Sequence, residues 1–482
     1  YLYDMSEALF TSGNFEPVRN EVDAVDLSVV EGKIPSDIDG MYIRNGPNPL
    51  FYDKKTFGHW FDGDGMLHGV RLQNGSATFR NRYVKTDDWQ YEKDLGKKYF
   101  LSFKTLTSVL GIGQFLASRF YRTVISSKQP DPYKKCTANT ALVYHDKRLM
   151  ALVESHTPTW VTAQTLDTVG EYDYDGELKH PFTAHPKIDQ KTGEMMFFCY
   201  QLDKKPYCLY RTVSKDGKIS SKPIDMGIQK PVMMHDMAMT ENYSIIMDHP
   251  FEFNPSNKDF FVFDSKKPAR FGIIPRHAES GDETIWFEGK NGFVFHTANA
   301  YEEGDKIYLY AVRHELIDFA KLGAGKNYMW IFDMKTKTVT EEYVFYDEDH
   351  KEYRSEFPVI NTDYTGYKNR YFYSGFLSDP SMQGFEGLLK LDIKEKKTIK
   401  ALHGDKRFSG EMSFVPRNNS KAEDDGYMVG FVFDETKNNS ELVIYDASDL
   451  SLTCRIALPQ RVPYGFHGMW VSKEQMNEQR SP

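Results

Sequence analysis

The chain has 482 residues, of which 15% are aromatic and 27% are charged, and 60 Lys and Arg against 69 Asp and Glu leave a net charge of -9. This length allows roughly two to four domains or one large closed architecture. The acidic balance excludes a global basic field for nucleic acid, and four Cys are too few for a disulfide scaffold. We therefore expect a protein of a reducing compartment with no nucleic-acid partner.

Short strands separated by turn signals follow one another along the chain. The turn signals are dipeptides of the kind that close β-hairpins, namely Asn74-Gly75, Asp175-Gly176, Asp216-Gly217 and Gly304-Asp305. The runs between them are rich in β-branched and aromatic residues, and few helical stretches connect them. This pattern predicts an all-β fold and excludes a doubly wound α/β protein. A β-propeller is favoured because no linker separates the two β-sandwich domains that are the alternative.

Residues 99–127 are the main exception to the strand pattern. Apolar residues recur there at helical spacing, among them Phe103, Leu106, Leu110, Phe120 and Val124. One interpretation is a helix packed on the propeller, and the other is an amphipathic patch that contacts a membrane. The uncharged apolar stretch between Lys104 and Arg119 is shorter than the roughly 18–20 residues of a membrane-spanning helix.

The expected localisation is cytoplasmic, with membrane association through residues 99–127 as a further expectation. The chain begins at Tyr1, and no secretory signal peptide is visible there. A removed targeting peptide would instead direct the protein to an organelle.

Four of the 14 His share a context that the others lack, because each follows a small or apolar run: His185, His235, His296 and His467. Taken singly, each is best explained as a hydrogen-bonded core residue. Together they are separated by 50, 61 and 171 positions, which resembles about one, one and three or more propeller blades. The inner strands of a propeller converge on its axis, so four imidazoles could meet there around Fe, Zn, Cu or Ni.

The remaining His mostly adjoin charged or turn residues, so we predict that they lie on the surface. They include His145, His156, His249, His277, His314, His350 and His403.

Three Glu lie in apolar or small-residue surroundings, where an unpaired carboxylate would be costly: Glu154, Glu356 and Glu411. Such carboxylates could accept the second ring N–H of metal-bound His and fix its tautomer. The alternative is that these Glu lie at strand ends and bind backbone N–H groups. Their spacing in the sequence does not decide between the two explanations.

The sequence resembles the carotenoid cleavage oxygenases, which are non-haem iron enzymes, and its closest likeness is to the plant-type carotenoid cleavage dioxygenases. The matching motifs span nearly the whole chain in the family's order. They include MYIRNGPNP (41–49), HWFDGDGMLHGVR (59–71), TANTALVYH (137–145), FTAHPKID (182–189), MMHDMAMTENY (233–243), FHTANAYEEGD (295–305) and PYGFHGMWV (463–471).

The resemblance implies one seven-bladed β-propeller domain over residues 1–482, with a dome of helices and loops above its top face. It implies one Fe(II) per chain held by His185, His235, His296 and His467. It also implies that Glu154, Glu356 and Glu411 contact three of these His, and that Thr140 restricts one open position of the iron. Residues 99–127 would belong to the dome and meet the membrane that supplies lipophilic substrates.

The activity implied by the resemblance is cleavage of a conjugated C=C bond of a carotenoid or apocarotenoid by O2 into two carbonyl products. The chain has Val153 where stilbene-cleaving relatives have a Lys that holds the substrate phenol. Stilbenoid cleavage is therefore the weaker alternative within the family. A non-catalytic propeller that binds an apolar ligand is the alternative from another class.

Overall fold

The strands predicted from the sequence dominate the structure. The computed structural model describes residues 12–52, 59–101, 130–132, 134–220, 222–254, 261–317, 323–344, 354–378 and 384–482. These residues form seven sheets of four to six strands, and a separate two-stranded hairpin. The arrangement is a seven-bladed β-propeller, which confirms the predicted fold class.

The first four blades follow in chain order after two short entry strands, β1 (Val25–Asp26) and β2 (Val29–Gly32). Blade 1 contains β3 (Gly40–Pro47), β4 (Gly65–Gln73) and β5 (Ser76–Tyr83). Blade 2 contains β6 (Ala141–His145), β7 (Arg148–Leu152), β8 (Thr159–Val161) and β9 (Thr168–Glu171). Blade 3 contains β10 (Lys187–Ile188), β11 (Met195–Tyr200), β12 (Cys208–Val213) and β13 (Ile224–Asp225). Blade 4 contains β14 (Met237–Met239), β15 (Tyr243–Asp248), the inserted hairpin β16 (Phe251–Phe253) and β17 (Phe261–Phe263), and then β18 (Ala269–Pro275) and β19 (Ile285–Gly289).

Blades 5 and 6 also consist of consecutive strands, whereas blade 7 is completed by β2 from the start of the chain. Blade 5 contains β20 (Phe293–Glu303), β21 (Lys306–His314), β22 (Lys326–Asp333) and β23 (Thr338–Tyr343). Blade 6 contains β24 (Arg354–Val359), β25 (Tyr371–Leu377), β26 (Gly387–Asp392) and β27 (Lys397–Leu402). Blade 7 contains β28 (Arg407–Ser409), β29 (Ser413–Pro416), β30 (Gly426–Asp434), β31 (Asn439–Asp446) and β32 (Leu452–Ala457). The last strand, β33 (Gly468–Ser472), returns to blade 1.

Helices are short in the described part of the chain. The two α-helices are α1 (Asp87–Leu95) and α2 (Lys473–Glu478). Single 3-10 turns lie at Gly13–Phe15, Trp60–Asp62, Gly281–Glu283 and Thr362–Tyr364. No helix among the described residues is long and apolar enough to span a membrane. The predicted helical segment 99–127 falls mostly outside the described residues, and its first residues, 99–101, are not helical.

Both ends of the chain close the ring of blades. Strand β33 pairs with β3, with Gly468 opposite Arg44, and becomes the innermost strand of blade 1. Strand β2 pairs with β32, with Val29 opposite Ile456, and becomes the outermost strand of blade 7. Each of these two strands is joined to its blade by backbone hydrogen bonds, and the chain between β32 and β33 also connects blade 7 to blade 1.

Among the apolar clusters of the described residues, seven lie between neighbouring blades, one for each pair of blades. The cluster between blades 4 and 5, for example, contains Phe271 on one side and Leu309 and Trp330 on the other. Each blade is apolar on both faces because it packs against two neighbours. Burial of this kind stabilises by roughly 25 cal/mol per Å² and makes every blade depend on the next.

The predicted hairpins at Asn74-Gly75 and Gly304-Asp305 are confirmed, whereas Asp175-Gly176 forms a turn between β9 and β10, which belong to different blades. Asn74 and Gly75 have φ of 50° and 73° and connect β4 to β5, with Gln73 opposite Ser76. Two consecutive residues with positive φ are characteristic of a type I′ turn, which matches the right-handed twist of the strands.

Candidate metal centre on the propeller axis

The four His singled out in the sequence lie on the innermost strands of four blades. His185 and His235 precede β10 and β14 by two residues, and His467 directly precedes β33. His296 lies within β20, at an irregularity in its pairing with β21. They therefore belong to blades 3, 4, 5 and 1, so the spacing of one, one and three blades predicted from the sequence is confirmed. We call the end of the axis where these four His lie the upper end.

The four imidazoles face one point. One ring nitrogen from each lies within 4.8 Å of those of the other three. The Nε2 atoms of His185 and His235 are 3.0 Å apart, and those of His235 and His296 are 3.2 Å apart. The ring centroids of His467 lie 4.5 Å from His185 and 4.8 Å from His296. The structure thus brings together all four residues predicted to share one site.

The three predicted carboxylates each contact one of these rings on the side away from the centre. Nδ1 of His296 donates to Oε2 of Glu356 at 2.6 Å, and Nδ1 of His467 donates to Oε1 of Glu411 at 3.0 Å. Nδ1 of His235 donates to Oε1 of Glu154. An ionised carboxylate only accepts hydrogen bonds, so each of these three His carries its proton on Nδ1. The unprotonated Nε2 of each ring then points to the centre.

Backbone N–H groups also bind two of the carboxylates. Phe357 N–H donates to Oε2 of Glu356 and Gly468 N–H donates to Oε2 of Glu411, both at 2.7 Å. The two explanations that the sequence left open for these Glu therefore both hold at Glu356 and Glu411.

Burial and the carboxylates shift the pKa values of the cluster in different directions. Burial, and then the three neighbouring imidazoles, hold the pKa of His185 well below its ordinary value. Burial also lowers the pKa of His296, against the effect of Glu356. At His235, burial opposes the charged form, but Glu154 outweighs it and raises the pKa. Burial would raise the pKa of Glu356, but His296 and His314 outweigh it and lower the pKa, so this carboxyl stays ionised.

The donor set fits a divalent transition metal. Unprotonated nitrogens about 3 Å apart repel one another unless a cation lies between them, and neutral imidazole is a preferred ligand of Fe, Zn, Cu and Ni. Two imidazole nitrogens at about 2.1 Å from one ion and at right angles to each other are about 3 Å apart. The three outer carboxylates supply the negative charge that four neutral imidazoles lack.

A second hydrogen-bonded layer ties the His-bearing strands together just below the cluster. Asp236 follows His235 in the chain and is 2% exposed. Its Oδ1 accepts from Lys187 Nζ at 2.8 Å, and its Oδ2 accepts from the backbone N–H and the hydroxyl of Thr297 at 2.7 and 2.8 Å. Lys187, Asp236 and Thr297 belong to blades 3, 4 and 5. One carboxylate thus fixes the relative positions of three neighbouring His-bearing strands.

Thr140, the third predicted type of site residue, lies directly before β6, the innermost strand of blade 2. Its carbonyl oxygen accepts from the backbone N–H of His467 at 3.2 Å. Its hydroxyl donates to Oδ1 of Asn139 at 3.0 Å. Thr140 is therefore held beside His467 by the backbone, with its hydroxyl turned to a neighbouring side chain.

Aromatic side chains border the cluster. The ring of Phe357 lies 5.0 Å from His296 and 5.1 Å from His467, and that of Phe295 lies 5.4 Å from His235. Phe357 has φ of 52°, a left-handed backbone that is unusual for a bulky residue and costs about 1 kcal/mol or more. The surroundings of the imidazoles are thus apolar and aromatic.

The prediction that the other His lie on the surface is wrong for three of them. His145, His249 and His314 are 5%, 2% and 5% exposed. His277 is exposed as predicted, whereas His156 and His403 are half-buried, and His350 lies outside the described residues. Charged sequence neighbours misled the prediction, because adjacent residues of a strand point to opposite faces.

Sequence reasoning missed one of these His as part of the site. Nε2 of His314 donates to Oε1 of Glu356 at 2.8 Å. Tyr200, also missed, donates from its hydroxyl to Oε2 of Glu154 at 2.7 Å. His314 ends β21, but Arg313 separates it from the apolar part of that strand, so the sequence lacks the signal that singled out the four His of the cluster.

Comparison with known proteins assigns the family. Residues 15–472 match the family model described as retinal pigment epithelial membrane protein. The chain is 38% identical to carotenoid 9,10(9',10')-cleavage dioxygenase 1 of Arabidopsis thaliana, over 99% of this chain and 93% of that protein. The chain belongs to the carotenoid cleavage oxygenase family.

Solved structures show the same fold. The lignostilbene dioxygenase of Pseudomonas brassicacearum is 26% identical with a TM-score of 0.83, over 96% of this chain and 98% of that one. The cobalt-substituted apocarotenoid oxygenase of Synechocystis is 26% identical with a TM-score of 0.80, over 98% of this chain and 99% of that one.

Proposed function

We propose that this protein is a non-haem Fe(II) dioxygenase that cleaves a conjugated C=C bond of a carotenoid or apocarotenoid. The observation that carries the proposal is the convergence of four imidazoles within 4.8 Å, three of them backed by carboxylates. His185, His235, His296 and His467 would hold one iron per chain. Bound iron would supply the site at which O2 is activated beside the substrate double bond.

The side chains around the cluster have three tasks in this proposal. Glu154, Glu356 and Glu411 hold the Nδ1 protons of their partner His, so that each Nε2 stays unprotonated and aimed at the centre. Phe295 and Phe357 border the imidazoles and exclude water from the reacting bond. Thr140, fixed beside His467, restricts one approach to the metal.

The reaction balances without an external reductant. The C=C bond breaks, and each of its carbon atoms gains one oxygen atom of the same O2 molecule and becomes a carbonyl carbon. The protein therefore has to position the polyene, admit O2 and keep competing reactants away. An apolar site that orients the substrate serves these purposes.

The substrate class follows from the chemistry near the cluster and from the relatives. Aromatic neighbours suit a polyene, which binds through buried apolar area. Val153, next to Glu154, offers no charge or hydrogen bond to a phenol. The Arabidopsis relative is named for cleavage at the 9,10 and 9',10' double bonds, so these are the first bonds to test.

A panel of substrates tests the proposal directly. Iron-loaded protein is incubated with carotenoids, apocarotenoids and stilbenes under 18O2, and the products are identified by mass spectrometry. We expect a pair of carbonyl products, each with one 18O atom, from carotenoids or apocarotenoids. Cleavage by protein without iron, or products free of 18O, would contradict it.

Stilbenoid cleavage is the second candidate, and the similarity to the lignostilbene dioxygenase favours it. The panel separates the two, because phenolic stilbenes should be poor substrates when Val153 replaces a basic residue. A protein that binds apolar ligands without consuming O2 would be a non-catalytic propeller.

Membrane contact through residues 99–127 is a further part of the proposal, supported by the apolar residues in that sequence. Charged substitutions at Phe115 and Leu116 should reduce co-sedimentation with liposomes, and unchanged partitioning would contradict the proposed contact. We assign the protein to the cytoplasm because all four of its cysteines are free. Import into an organelle is the alternative, and imaging of the full-length protein in cells would distinguish them.

A further inference from the structure

Each carboxylate of the cluster uses one oxygen for its imidazole and has a separate anchor on the other. The second oxygen of Glu154 accepts from the hydroxyl of Tyr200 at 2.7 Å. The second oxygen of Glu356 accepts from Nε2 of His314 at 2.8 Å. The second oxygen of Glu411 accepts from the backbone N–H of Gly468 at 2.7 Å. Three equivalent carboxylates are thus held by a phenol, an imidazole and a backbone amide.

We propose that Tyr200 and His314 are positioning residues of the metal centre, each acting on the metal through a carboxylate and an imidazole. This inference rests on the proposed function, because it presumes that the four His hold a metal. Neither side chain touches the centre itself. Each instead fixes the rotation of the carboxylate that fixes the proton of a metal-binding ring.

Tyr200 is suited to this task because Glu154 lies on a loop and the Tyr200 hydroxyl holds its second carboxylate oxygen. Glu154 follows β7 and lies outside any strand, so its backbone constrains it less than a strand would. Tyr200 ends β11, and its neighbour across the sheet is Cys208 of β12. Burial, and then Glu154, raise the pKa of Tyr200 well above its ordinary value, so the phenol keeps the proton that it donates.

His314 is suited to the same task on the next pair. It ends β21, the strand that pairs with the His296-bearing strand β20. Its ring is 5% exposed and packs against Phe295 at 5.3 Å. Oε2 of Glu356 is already shared by His296 and the backbone N–H of Phe357, so His314 is the anchor that the structure gives to Oε1.

The third carboxylate is an internal reference. Its anchor is the backbone N–H of Gly468, which a side-chain substitution elsewhere does not remove. At His235 and His296, metal affinity should therefore depend on the side chains that hold the carboxylates, namely Tyr200 and His314. At His467 it should depend on a backbone amide instead. The effects of substituting Tyr200 or His314 can therefore be measured while the pair of Glu411 and His467 stays intact.

The experiment measures metal affinity and not only turnover. Apoprotein is titrated with Co(II), whose visible bands report the geometry of its ligands, and Fe(II) affinity is measured by competition with a chelator. Tyr200→Phe removes only the hydroxyl. The matched control is Tyr210→Phe, which removes a buried hydroxyl that binds Ser244 at 3.0 Å and contacts none of the three carboxylates. His314→Leu removes the donor, whereas His314→Gln retains an amide donor.

We expect Tyr200→Phe and His314→Leu to weaken Co(II) and Fe(II) affinity about tenfold, the lower end of the range for groups that contact a metal-bound His. Their Co(II) bands should shift, and His314→Gln should restore most of the affinity. Tyr210→Phe should lower the melting temperature of the apoprotein without changing affinity or bands.

Two outcomes would overturn the inference. One is wild-type affinity and bands in Tyr200→Phe, and the other is equal losses in His314→Leu and His314→Gln. If Tyr200→Phe does not fold, the His314 pair decides. A wild-type protein that binds neither Co(II) nor Fe(II) would overturn the proposed function itself, which is a distinguishable result.

Discussion

The inner strands β10 and β14 begin at a cluster of imidazoles and end at a set of paired polar groups, which we call the lower end. At the upper end, four imidazoles each turn one ring nitrogen to one point. At the lower end, Arg276 Nη1 lies 2.7 Å from Oδ2 of Asp189, and Arg276 Nε donates to the carbonyl of Thr240 at 2.8 Å. The hydroxyl of Tyr367 donates to the same Asp189 carboxylate at 3.2 Å.

In this propeller, the polar groups that would bind a ligand and those that hold the blades together lie at opposite ends. Polar groups at the lower end are paired with one another, so they hold neighbouring blades together and offer little to a ligand. Polar groups at the upper end are paired only on their outer sides, so they are prepared for a cation. Substitutions at the two ends should therefore have separable effects on metal binding and on stability.

The largest expected effect is at the upper end. His235→Ala removes one ligand and leaves Glu154 without its imidazole partner. We expect bound iron and turnover to fall below detection, as measured by metal analysis and by product formation. Exposed His277 provides the control, and His277→Ala should keep both. Cleavage activity in a His235→Ala protein that contains no iron would contradict the metal site.

Substitutions at the lower end should instead reduce the free energy of unfolding. Arg276→Met leaves the carboxylate of Asp189, which is 1% exposed, without its cation. Removing one partner of a buried ion pair costs about 3–5 kcal/mol of the free energy of unfolding. Denaturant unfolding should show this loss, while the folded fraction keeps the wild-type affinity for Co(II).

An exposed ion pair is the control for Arg276→Met. Lys368 and Glu303 lie 2.7 Å apart with more than half of each side chain exposed, so Lys368→Met should leave the unfolding midpoint unchanged. Weaker Co(II) binding in Arg276→Met would contradict the separation of the two ends.

A change in one carboxylate should have an intermediate effect. Glu356→Gln removes the charge that binds His296 and His314 but keeps the shape of the side chain. Metal affinity or turnover should fall about 10- to 100-fold. The same change at the lower end, Glu302→Gln, alters a carboxylate that binds Asn242 N–H at 2.8 Å and should leave metal affinity unchanged. Equal affinities of wild type and Glu356→Gln would contradict the role of this carboxylate.

The smallest effect concerns pH and a buried His outside the cluster. Burial, and then Arg313, lower the pKa of His249 to about 3, so the folded protein binds no proton there at neutral pH. The unfolded chain binds one below about pH 6.5, so this contribution to stability is full above that pH and is lost as pH falls toward 3. Between pH 7 and 5.5 the loss should be about 1 kcal/mol.

Replacement of this His isolates its contribution. His249→Gln should reduce the pH dependence of the free energy of unfolding by that amount, and His277→Gln should not change it. Identical slopes for wild type and His249→Gln in denaturant unfolding would contradict the assignment.

Much of the fold and site was predictable because the signals were local or repeated. Asn74-Gly75 predicts its hairpin, since few other dipeptides adopt two consecutive positive φ values. The spacing of the four His predicts their convergence, because inner strands recur once per blade. Family resemblance predicted that Glu154, Glu356 and Glu411 contact three of the four His, and the structure shows which ring each one contacts.

The remainder depended on information that a linear sequence does not carry. His314 stands between Arg313 and Glu315, and these charged neighbours suggested exposure. Arg313 is itself 8% exposed on the other face of β21, and Glu315 lies beyond the strand, so neither residue reports the burial of His314. The contact of Tyr200 with Glu154 joins residues 46 positions apart in neighbouring blades, and no motif records that distance.

The return of β33 to blade 1 has a consequence for the order in which the site is assembled. Three imidazoles are synthesised with blades 3, 4 and 5, but His467 precedes the final strand, which enters blade 1 only after every other blade has left the ribosome. His467, the fourth proposed ligand, therefore directly precedes the strand that closes the ring of blades. A chain that stalls before His467 would carry only three of the four proposed ligands on an open ring.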